Sequence, residues 1–203
     1  MEPVRKVEGI VAALDRADVD TDQIIPKQFL KRIERTGYGA FLFNDWRIRP
    51  DGSVNEDFPL NRPELKGARI LVGGRNFGCG SSREHAAWAL HDYGFRVVIA
   101  PSLADIFLGN CYQTGIVPVQ LPESDVRDLI GRASEGPYRE TVDVEASVIR
   151  GEDGLIIPFQ LDPFRRHCLL NGLDDIGLTL EHEDEIARYE AERAVAPPWV
   201  GAA

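Results

Sequence analysis

The segment from residue 68 to residue 100 constrains the fold more than any other part of the chain. Residues 68–72 form an apolar run that predicts a strand. Arg83–Tyr93 show helical periodicity that ends at Gly94, and residues 95–100 form a second apolar run. A strand, a helix and a second strand in this order make a βαβ unit. The second run is apolar without alternation, which is typical of a parallel strand covered on both faces.

The rest of the chain adds strands and helices of ordinary length. Apolar runs predict further strands at residues 7–14, 116–121, 141–144, 146–150 and 155–160. Helical periodicity predicts further helices at residues 27–35, 101–114, 124–133, 163–170 and 180–194. We therefore predict an α/β fold in which at least part of the sheet is parallel.

The length of 203 residues predicts one domain rather than two. Hydrophobic residues make up 43% of the chain and charged residues 28%, which is ordinary globular usage. We expect a single domain over residues 1–195 and a flexible tail over residues 196–203. No apolar stretch approaches the roughly 20 residues of a membrane span, so we expect a cytoplasmic protein that does not bind membranes.

The net charge excludes some partners and favours another. A formal net charge of −10 disfavours binding to nucleic acid or anionic membranes, because both require positive potential. The charge is uneven: residues 62–101 carry six basic and three acidic side chains, whereas residues 174–192 carry eight acidic side chains and one arginine. The basic segment suits a small anionic substrate, and the acidic segment predicts a solvated face.

The three cysteines are Cys79, Cys111 and Cys168, which lie far apart in the sequence. Their odd number argues against a disulfide framework and suits a reducing compartment. Without a Cys-x-x-Cys motif they also make no iron–sulfur site by themselves, so cluster ligands would have to come from another chain. We expect each cysteine to pack as a small hydrophobe, and we expect no metal site on this chain.

The loop Asn76–His85 lies between the first strand of the βαβ unit and its helix. Ser81, Ser82 and Arg83 stand at the predicted helix start, where backbone N–H groups and the helix dipole favour an anion. These donors and Arg83 would stabilise a serine alkoxide, and a guanidinium also suits a substrate carboxylate. Two hypotheses follow: proton abstraction next to a carboxylate, or plain helix capping by Ser81 and Glu84 in a capping box.

Three common loop motifs are excluded at this position. A phosphate-binding loop that starts at Gly73 would require lysine where Cys79 stands. A dinucleotide fingerprint that starts at Gly78 would require a small residue in place of Arg83, and a hydrolase elbow would require glycine in place of Glu84. The loop therefore predicts neither nucleotide binding nor simple hydrolysis.

A second candidate element, Asp18–Pro26, follows the first predicted strand and carries three alternating aspartates. An EF-hand calcium loop is excluded, because Gln23 stands where that loop needs glycine and Phe29 where it needs glutamate. Two interpretations of the aspartates remain. Asp20 or Asp22 caps a turn, or Asp22 orients a partner group in the site.

Several motifs in a fixed order resemble a known family. Residues 74–90 read Gly-Arg-Asn-Phe-Gly-Cys-Gly-Ser-Ser-Arg-Glu-His-Ala-Ala-Trp-Ala-Leu, and further motifs lie at residues 20–30, 43–47, 94–110, 164–168 and 176–180. Over most of its length the chain resembles the swivel domain of the aconitase superfamily, and within it the family of 3-isopropylmalate dehydratase small subunits. The resemblance implies a swivel-type α/β domain with a mixed sheet or barrel, βαβ units and flanking helices.

The same resemblance implies half of an active site. It implies that a [4Fe–4S] cluster lies on a separate large subunit and that this chain alone binds no cofactor. Ser81 would be the base and Asp22 a second catalytic residue that pairs with a histidine of the large subunit. Gly80, Ser82 and Arg83 would bind the substrate. The implied reaction isomerises 2-isopropylmalate to 3-isopropylmalate by dehydration and rehydration in leucine biosynthesis, within a heterodimer or a higher heteromer.

The segment Thr36–Phe43 lies where this family is expected to select the substrate side chain. The residues concerned are Thr36, Gly37, Tyr38, Phe41 and Leu42. Their apolar content favours an isopropyl group, although the residues alone also permit a core-packing turn. Two alternative functions remain: the small subunit of a related methylmalate or homoaconitate hydro-lyase, and a non-enzymatic module that binds small anions.

Overall fold

The computed structural model describes residues 1–31 and 36–193. The strands in this part of the chain are β1 (Lys6–Leu14), β2 (Ile70–Gly73), β3 (Val97–Ala100), β4 (Val117–Gln120), β5 (Arg139–Asp143), β6 (Val148–Gly151) and β7 (Ile156–Pro158). The α-helices there are α1 (Thr21–Ile24), α2 (Asn44–Arg47), α3 (Glu84–Tyr93), α4 (Asp105–Thr114), α5 (Glu123–Glu135), α6 (Pro163–Asn171), α7 (Asp175–Leu180) and α8 (Glu183–Arg193). Single turns of 3₁₀ helix lie at Lys27–Phe29, Gly39–Phe41, Pro59–Asn61 and Pro63–Leu65.

The strands form one mixed sheet in the order β4-β3-β2-β1-β5-β6-β7. Strands β1 to β4 run parallel, whereas β5, β6 and β7 pair antiparallel with their neighbours. The βαβ unit consists of β2, α3 and β3, with Leu71 opposite Val98. The predicted α/β fold with a mixed sheet, βαβ units and flanking helices is confirmed.

Both faces of the parallel part of the sheet are covered. Every residue of β2 and β3 is buried, as their unbroken apolar runs predict. On one face Leu71 and Val98 belong to a hydrophobic cluster that includes Phe107 of α4. On the other face Ile70 belongs to a cluster that includes Val126 of α5. The carboxyl ends of these strands are therefore firmly anchored, and the loops that follow them start from a rigid edge.

Two predicted helices differ from the structure. In its described part, the helix predicted over residues 27–35 is one 3₁₀ turn at Lys27–Phe29, where Phe29 stacks on Phe41, and residues 32–35 lie outside the described residues. Tertiary packing overrides local helical preference here. The helix predicted over residues 180–194 corresponds to α8, which begins only at Glu183, and the separate short helix α7 ends at Leu180.

Two other expectations concern the ends and the membrane. The tail predicted over residues 196–203, and with it the domain boundary at residue 195, lies outside the described residues and stays a prediction. Among the residues that the structure describes, no helix is both long and apolar enough to cross a membrane.

Candidate active site

The serine loop, residues 74–83, leaves the carboxyl end of β2 and leads into α3. Because β1, β2 and β3 are parallel, the segments that follow them emerge at the same edge of the sheet. Two isolated bridges connect these segments: Cys79 pairs with Asp20, and Phe77 pairs with Leu103. The loop is therefore held between the segment after β1 and the segment after β3.

Backbone hydrogen bonds hold the first half of the serine loop. Phe77 N donates to Ser102 O and Ala104 N donates to Phe77 O, each over 3.0 Å. Gly78 N donates to Val19 O over 2.8 Å. These bonds pair buried backbone groups that would otherwise lose their hydrogen bonds to water. The first half of the loop thus extends the sheet, and the predicted site residues Gly80, Ser81, Ser82 and Arg83 lie in the second half.

Two glycines of the loop have positive φ values as well as close neighbours. Gly78 has a φ of +78°, and a Cβ there would lie 2.1 Å from the ring of Phe107. Gly80 has a φ of +92°, and a Cβ there would lie 2.2 Å from Asp20 Oδ2. Side chains rarely adopt such φ values, and these neighbours leave no room for one. The close approach at Gly80 brings the backbone of Ser81 next to α1.

The capping box of this site lies on α1 and not on α3. Asp20 accepts a hydrogen bond from the first turn of α1, and Gln23 Oε1 accepts one from Asp20 N over 3.0 Å. The prediction that Ser81 and Glu84 form such a box is wrong, because α3 begins at Glu84 without a side-chain cap. Arg83, the residue before α3, is itself still extended, with φ −123° and ψ 115°, so Ser81 lies upstream of the first turn. Helix capping therefore does not account for the serines.

Thr21, the first residue of α1, binds the second half of the loop. It is 1% exposed. Its N donates to Cys79 O over 2.8 Å, and its Oγ1 donates to Ser81 O over 3.0 Å. These two bonds straddle Gly80, so α1 and the loop form one local unit.

Arg83 connects the two predicted catalytic residues. Its Nη1 donates to Asp22 Oδ1 in an ion pair, and its Nη2 donates to Ser81 Oγ over 3.4 Å. The other carboxylate oxygen of Asp22, Oδ2, lies 3.3 Å from Lys27 Nζ. The Arg83 side chain is 19% exposed and that of Asp22 is 29% exposed, so water screens the pair only in part. The structure thus brings together Asp22, Ser81 and Arg83.

The remaining predicted loop residues face solvent. Gly80, Ser81 and Ser82 are all exposed. Catalytic groups usually act in a concave site that excludes water, and these exposed residues do not form such a site by themselves.

His85, in the first turn of α3, is a packed side chain. Burial lowers the pKa of its imidazole, and the neighbouring Glu84 opposes that effect. Its ring lies 5.3 Å from the ring of Tyr38 and 4.7 Å from that of Trp88. His85 is therefore mainly neutral at pH 7 and supports the turn beneath the loop.

The cysteines offer no reactive thiolate or cluster site in the structure. Cys111 and Cys168 are buried and Cys79 is half-buried, and burial raises the pKa of each thiol. Within residues 1–31 and 36–193, no group of three or more His, Cys, Asp or Glu side chains is placed to hold a metal ion.

The centre of the segment Thr36–Phe43 packs in the core. Tyr38 and Leu42 are 0% exposed and belong to the same hydrophobic cluster as Leu71. Gly39 lies so close to α3 that a Cβ there would be 2.5 Å from Tyr93 N. The centre of the segment is thus a core-packing turn and not a surface that covers a ligand.

The flanks of this segment are more accessible. Thr36 and Gly37 are exposed, and Phe41 is half-buried with its ring stacked 4.1 Å from that of Phe29. Only these three of the five residues predicted to select the substrate present surface that a ligand could contact directly.

Comparison with known proteins assigns the chain to a family. Residues 1–124 match the family described as Aconitase C-terminal domain, and residues 175–203 match the family described as the C-terminal domain of the 3-isopropylmalate dehydratase small subunit. The 3-isopropylmalate dehydratase small subunit of Brevibacillus brevis is 57% identical over 194 residues, covering 95% of this chain and 100% of that protein. The chain belongs to the family of 3-isopropylmalate dehydratase small subunits.

A second relative and a solved structure of this family also match the chain. The protein of that name from Rhodopirellula baltica is 60% identical over 188 residues, which cover 92% of this chain and 96% of that protein. The crystal structure of 3-isopropylmalate dehydratase from Methanocaldococcus jannaschii matches with a TM-score of 0.67 at 24% identity, covering 91% of this chain and 99% of that chain. This likeness confirms the swivel-type fold.

Sequence reasoning missed part of what shapes the small-subunit site. The spacing of Asp20 and Gln23 fits a capping box and could have located α1. No local pattern indicated that Thr21 would bind Ser81, because that contact spans 60 positions of the chain. No local pattern indicated the pairing of Lys27 with Asp22 either.

Proposed function

We propose that this chain is the proton-transferring subunit of a two-chain hydro-lyase that isomerises 2-isopropylmalate to 3-isopropylmalate in leucine biosynthesis. The observation that carries the proposal is the contact of Arg83 with Ser81 on an exposed loop, with Asp22 holding the same guanidinium. Family membership supports it, since relatives 57% and 60% identical are named 3-isopropylmalate dehydratase small subunits. We place the reaction in the cytoplasm, where three unpaired thiols persist.

Ser81 is the base in this proposal. Its Oγ takes a proton from the substrate carbon next to a carboxylate and returns it to the neighbouring carbon when water is added back. This requires a stabilised alkoxide, and the guanidinium nitrogen 3.4 Å away supplies positive charge. The guanidinium charge favours the alkoxide, while the carboxylate of Asp22 on the same guanidinium opposes part of that effect.

Arg83, Ser82 and Gly80 bind a substrate carboxylate. Asp22 engages Nη1 of Arg83, so a carboxylate meets the Nη2 side of the guanidinium together with the Ser82 hydroxyl. Gly80 has no side chain and allows the substrate close to the backbone. Asp22 fixes the orientation of the guanidinium, and in the assembled enzyme its carboxylate also meets a histidine of the large subunit.

The large subunit is the partner, in a heterodimer or a higher heteromer, and it holds the [4Fe–4S] cluster. When bound, the cluster supplies Lewis-acid activation of the substrate hydroxyl. The described residues of this chain do not fit such a group, since they offer no ligand set of three or more. The roles assigned to this chain are therefore proton transfer and carboxylate binding. The exposure of Ser81 and Ser82 fits a site that a second chain closes.

The segment from Thr36 to Leu42 selects the substrate side chain in this proposal. Thr36, Gly37 and Phe41 supply accessible surface, whereas the buried Tyr38 and Leu42 fix the turn from below. The half-buried ring of Phe41 offers an apolar contact to an isopropyl group, and the same contact would leave the additional carboxylate of homoaconitate poorly solvated. No specific observation favours methylmalate, homoaconitate or a purely anion-binding module.

Reconstitution tests the proposal. The chain is mixed with a cluster-loaded large subunit of the family, and kcat/KM is measured for isopropylmalate, methylmalate and homoaconitate. We expect the complex to prefer isopropylmalate and each chain alone to be inactive. Ser81→Ala should lower kcat by roughly 100-fold or more. Ser134→Ala, which alters an exposed serine of α5, is the matched control.

Each outcome of the reconstitution has a distinct meaning. Preference for one of the other two acids would reassign the substrate but keep the mechanism. Unchanged turnover in Ser81→Ala would contradict the assigned base and favour the anion-binding module.

A further inference from the structure

Thr21 lies beneath the serine loop and contacts it on both sides of Gly80. Its backbone N–H donates to Cys79 O over 2.8 Å, and its hydroxyl donates to Ser81 O over 3.0 Å. The first bond survives any side-chain substitution other than proline. The second bond depends on the hydroxyl, and it is the one that holds the backbone of Ser81.

The hydroxyl of Thr21 has two acceptors within reach. Ser81 O lies at 3.0 Å and Asp20 Oδ1 at 3.5 Å. Asp20 Oδ1 already accepts from Asp22 N over 2.7 Å, so the shorter bond to Ser81 O dominates. Because Thr21 is 1% exposed, water cannot readily replace the bond if the hydroxyl is removed.

Gly80 makes this bond important for the geometry of Ser81. Its φ is +92°, and its lack of a side chain lets the backbone adopt many conformations immediately before Ser81. The carboxylate of Asp20 packs against Gly80 but does not hold the residue that follows. The Thr21 hydroxyl restrains the backbone of Ser81, immediately after this flexible position.

We propose that Thr21 is a positioning residue that sets the distance between Ser81 Oγ and the guanidinium of Arg83. Helix α1 holds both ends of that contact: Thr21 holds the backbone of Ser81, and the next residue, Asp22, holds Arg83. The same short helix therefore holds both the proposed base and the positive charge that stabilises it. This inference rests on the proposed function of Ser81 as the base.

Three variants isolate the hydroxyl. Thr21→Val keeps the shape and the β-branch but removes the donor, whereas Thr21→Ser keeps the donor and removes a methyl group. Thr114→Val is the matched control, because the hydroxyl of Thr114 donates to Asn110 O over 2.7 Å within α4. Thr21→Ala removes the donor without adding a methyl group and takes the place of Thr21→Val if that variant does not fold.

The first measurement is amide hydrogen exchange of the isolated chain, which needs no activity. In Thr21→Val the peptide that contains residues 79–83 should exchange roughly 3- to 10-fold faster than in the wild type. Thr21→Ser and Thr114→Val should exchange there at the wild-type rate. Unchanged exchange in Thr21→Val would show that the hydroxyl does not hold the loop and would overturn the inference.

The second measurement is turnover of isopropylmalate by each variant reconstituted with the large subunit. Thr21→Val should lower kcat roughly tenfold or more, while KM and the affinity for the large subunit stay within about twofold of wild type. Thr21→Ser, which keeps the hydroxyl, should have a kcat close to that of the wild type. An unchanged kcat in Thr21→Val, or an equal loss in Thr21→Ser, would contradict a positioning role of the hydroxyl.

These two measurements separate this inference from the proposed function. If the wild-type complex does not turn over isopropylmalate, the proposed function fails, and the exchange experiment still decides whether Thr21 holds the loop. If the wild-type complex is active and Thr21→Val behaves like Thr21→Ser and the wild type, only this inference fails and the proposed function stands.

Discussion

Arg83 donates to the hydroxyl oxygen of Ser81 over 3.4 Å while the same guanidinium is paired with Asp22. Asp22 and Arg83 are 61 positions apart in the sequence, so the arrangement depends on the packing of α1 against the serine loop. A single planar group thereby joins the carboxylate and the hydroxyl that the proposed chemistry needs.

Arg83→Lys should impair the reconstituted enzyme although it preserves the charge. An ammonium cannot reach Asp22 and Ser81 with the two-pronged geometry of a guanidinium. We expect kcat/KM for isopropylmalate to fall by roughly 10- to 100-fold, as for the loss of about 1.5–3 kcal/mol from one charge-assisted hydrogen bond. Arg75→Lys alters an exposed arginine of the same loop and serves as control. A wild-type kcat/KM in Arg83→Lys would show that charge alone suffices.

Asp22→Asn and Arg83→Lys should have non-additive effects. Both variants disrupt the same ion pair, so the second substitution removes little that the first has left. The measurement is a double-mutant cycle on kcat/KM of the reconstituted enzyme. Additive losses would show that Asp22 acts independently of Arg83, for example only through its proposed histidine partner.

Gly80→Ala should destabilise the chain and displace the loop. An added Cβ would lie 2.2 Å from Asp20 Oδ2, at a φ of +92° that alanine rarely adopts. We expect a loss of about 1–3 kcal/mol in the free energy of unfolding of the isolated chain, measured by urea denaturation. Gly109→Ala is the matched control, since a Cβ at this position in α4 meets open space. Its free energy of unfolding should rise by about 0.5–1 kcal/mol. Equal stability of Gly80→Ala and the wild type would contradict the steric argument.

Glu140 should make the stability of the chain depend on pH. It is 2% exposed, and among the described residues neither of its carboxylate oxygens has a hydrogen-bond partner. Burial raises its pKa from 4.5 to about 7, with Arg132 opposing the effect. The folded chain thus keeps this proton up to a pH of about 7, whereas the unfolded chain releases it near 4.5. The contribution of Glu140 to stability is therefore fully present below the unfolded pKa and is lost, by about 3 kcal/mol, as pH rises through the folded pKa.

Glu140→Gln should remove this contribution, because an amide does not ionise. The free energy of unfolding of the isolated chain is measured by urea denaturation at several pH values between 4 and 8. Relative to wild type, the variant should gain stability progressively as pH rises across the range from about 4.5 to 7. Glu145→Gln, at an exposed position after β5, should follow the wild-type profile. Parallel profiles for Glu140→Gln and wild type would show that Glu140 does not titrate in this range.

Much of the fold was predictable because its signals are local. The unbroken apolar runs at β2 and β3 indicated covered parallel strands, and Gly94 marked the end of α3. The position of the serine loop between a strand and a helix followed from the same periodicity. The helix expected over residues 27–35 is only a 3₁₀ turn in its described part. The stacking of Phe29 on Phe41 is a tertiary contact, and a local sequence pattern does not reveal it.

The amino-acid sequence by itself determined the α/β class, the place of the serine loop and, through motifs in a fixed order, the family. Periodicity, glycines and contiguous motifs suffice for these because each is read within a few neighbouring residues. Folding in three dimensions decided how the site works: Ser81 does not cap α3, Tyr38 lies in the core, and Thr21 and Asp22 hold the loop and its arginine. The contacts of Thr21 and Asp22 join segments about 60 positions apart, and they arise only when parallel strands bring the loops after β1 and β2 to one edge of the sheet.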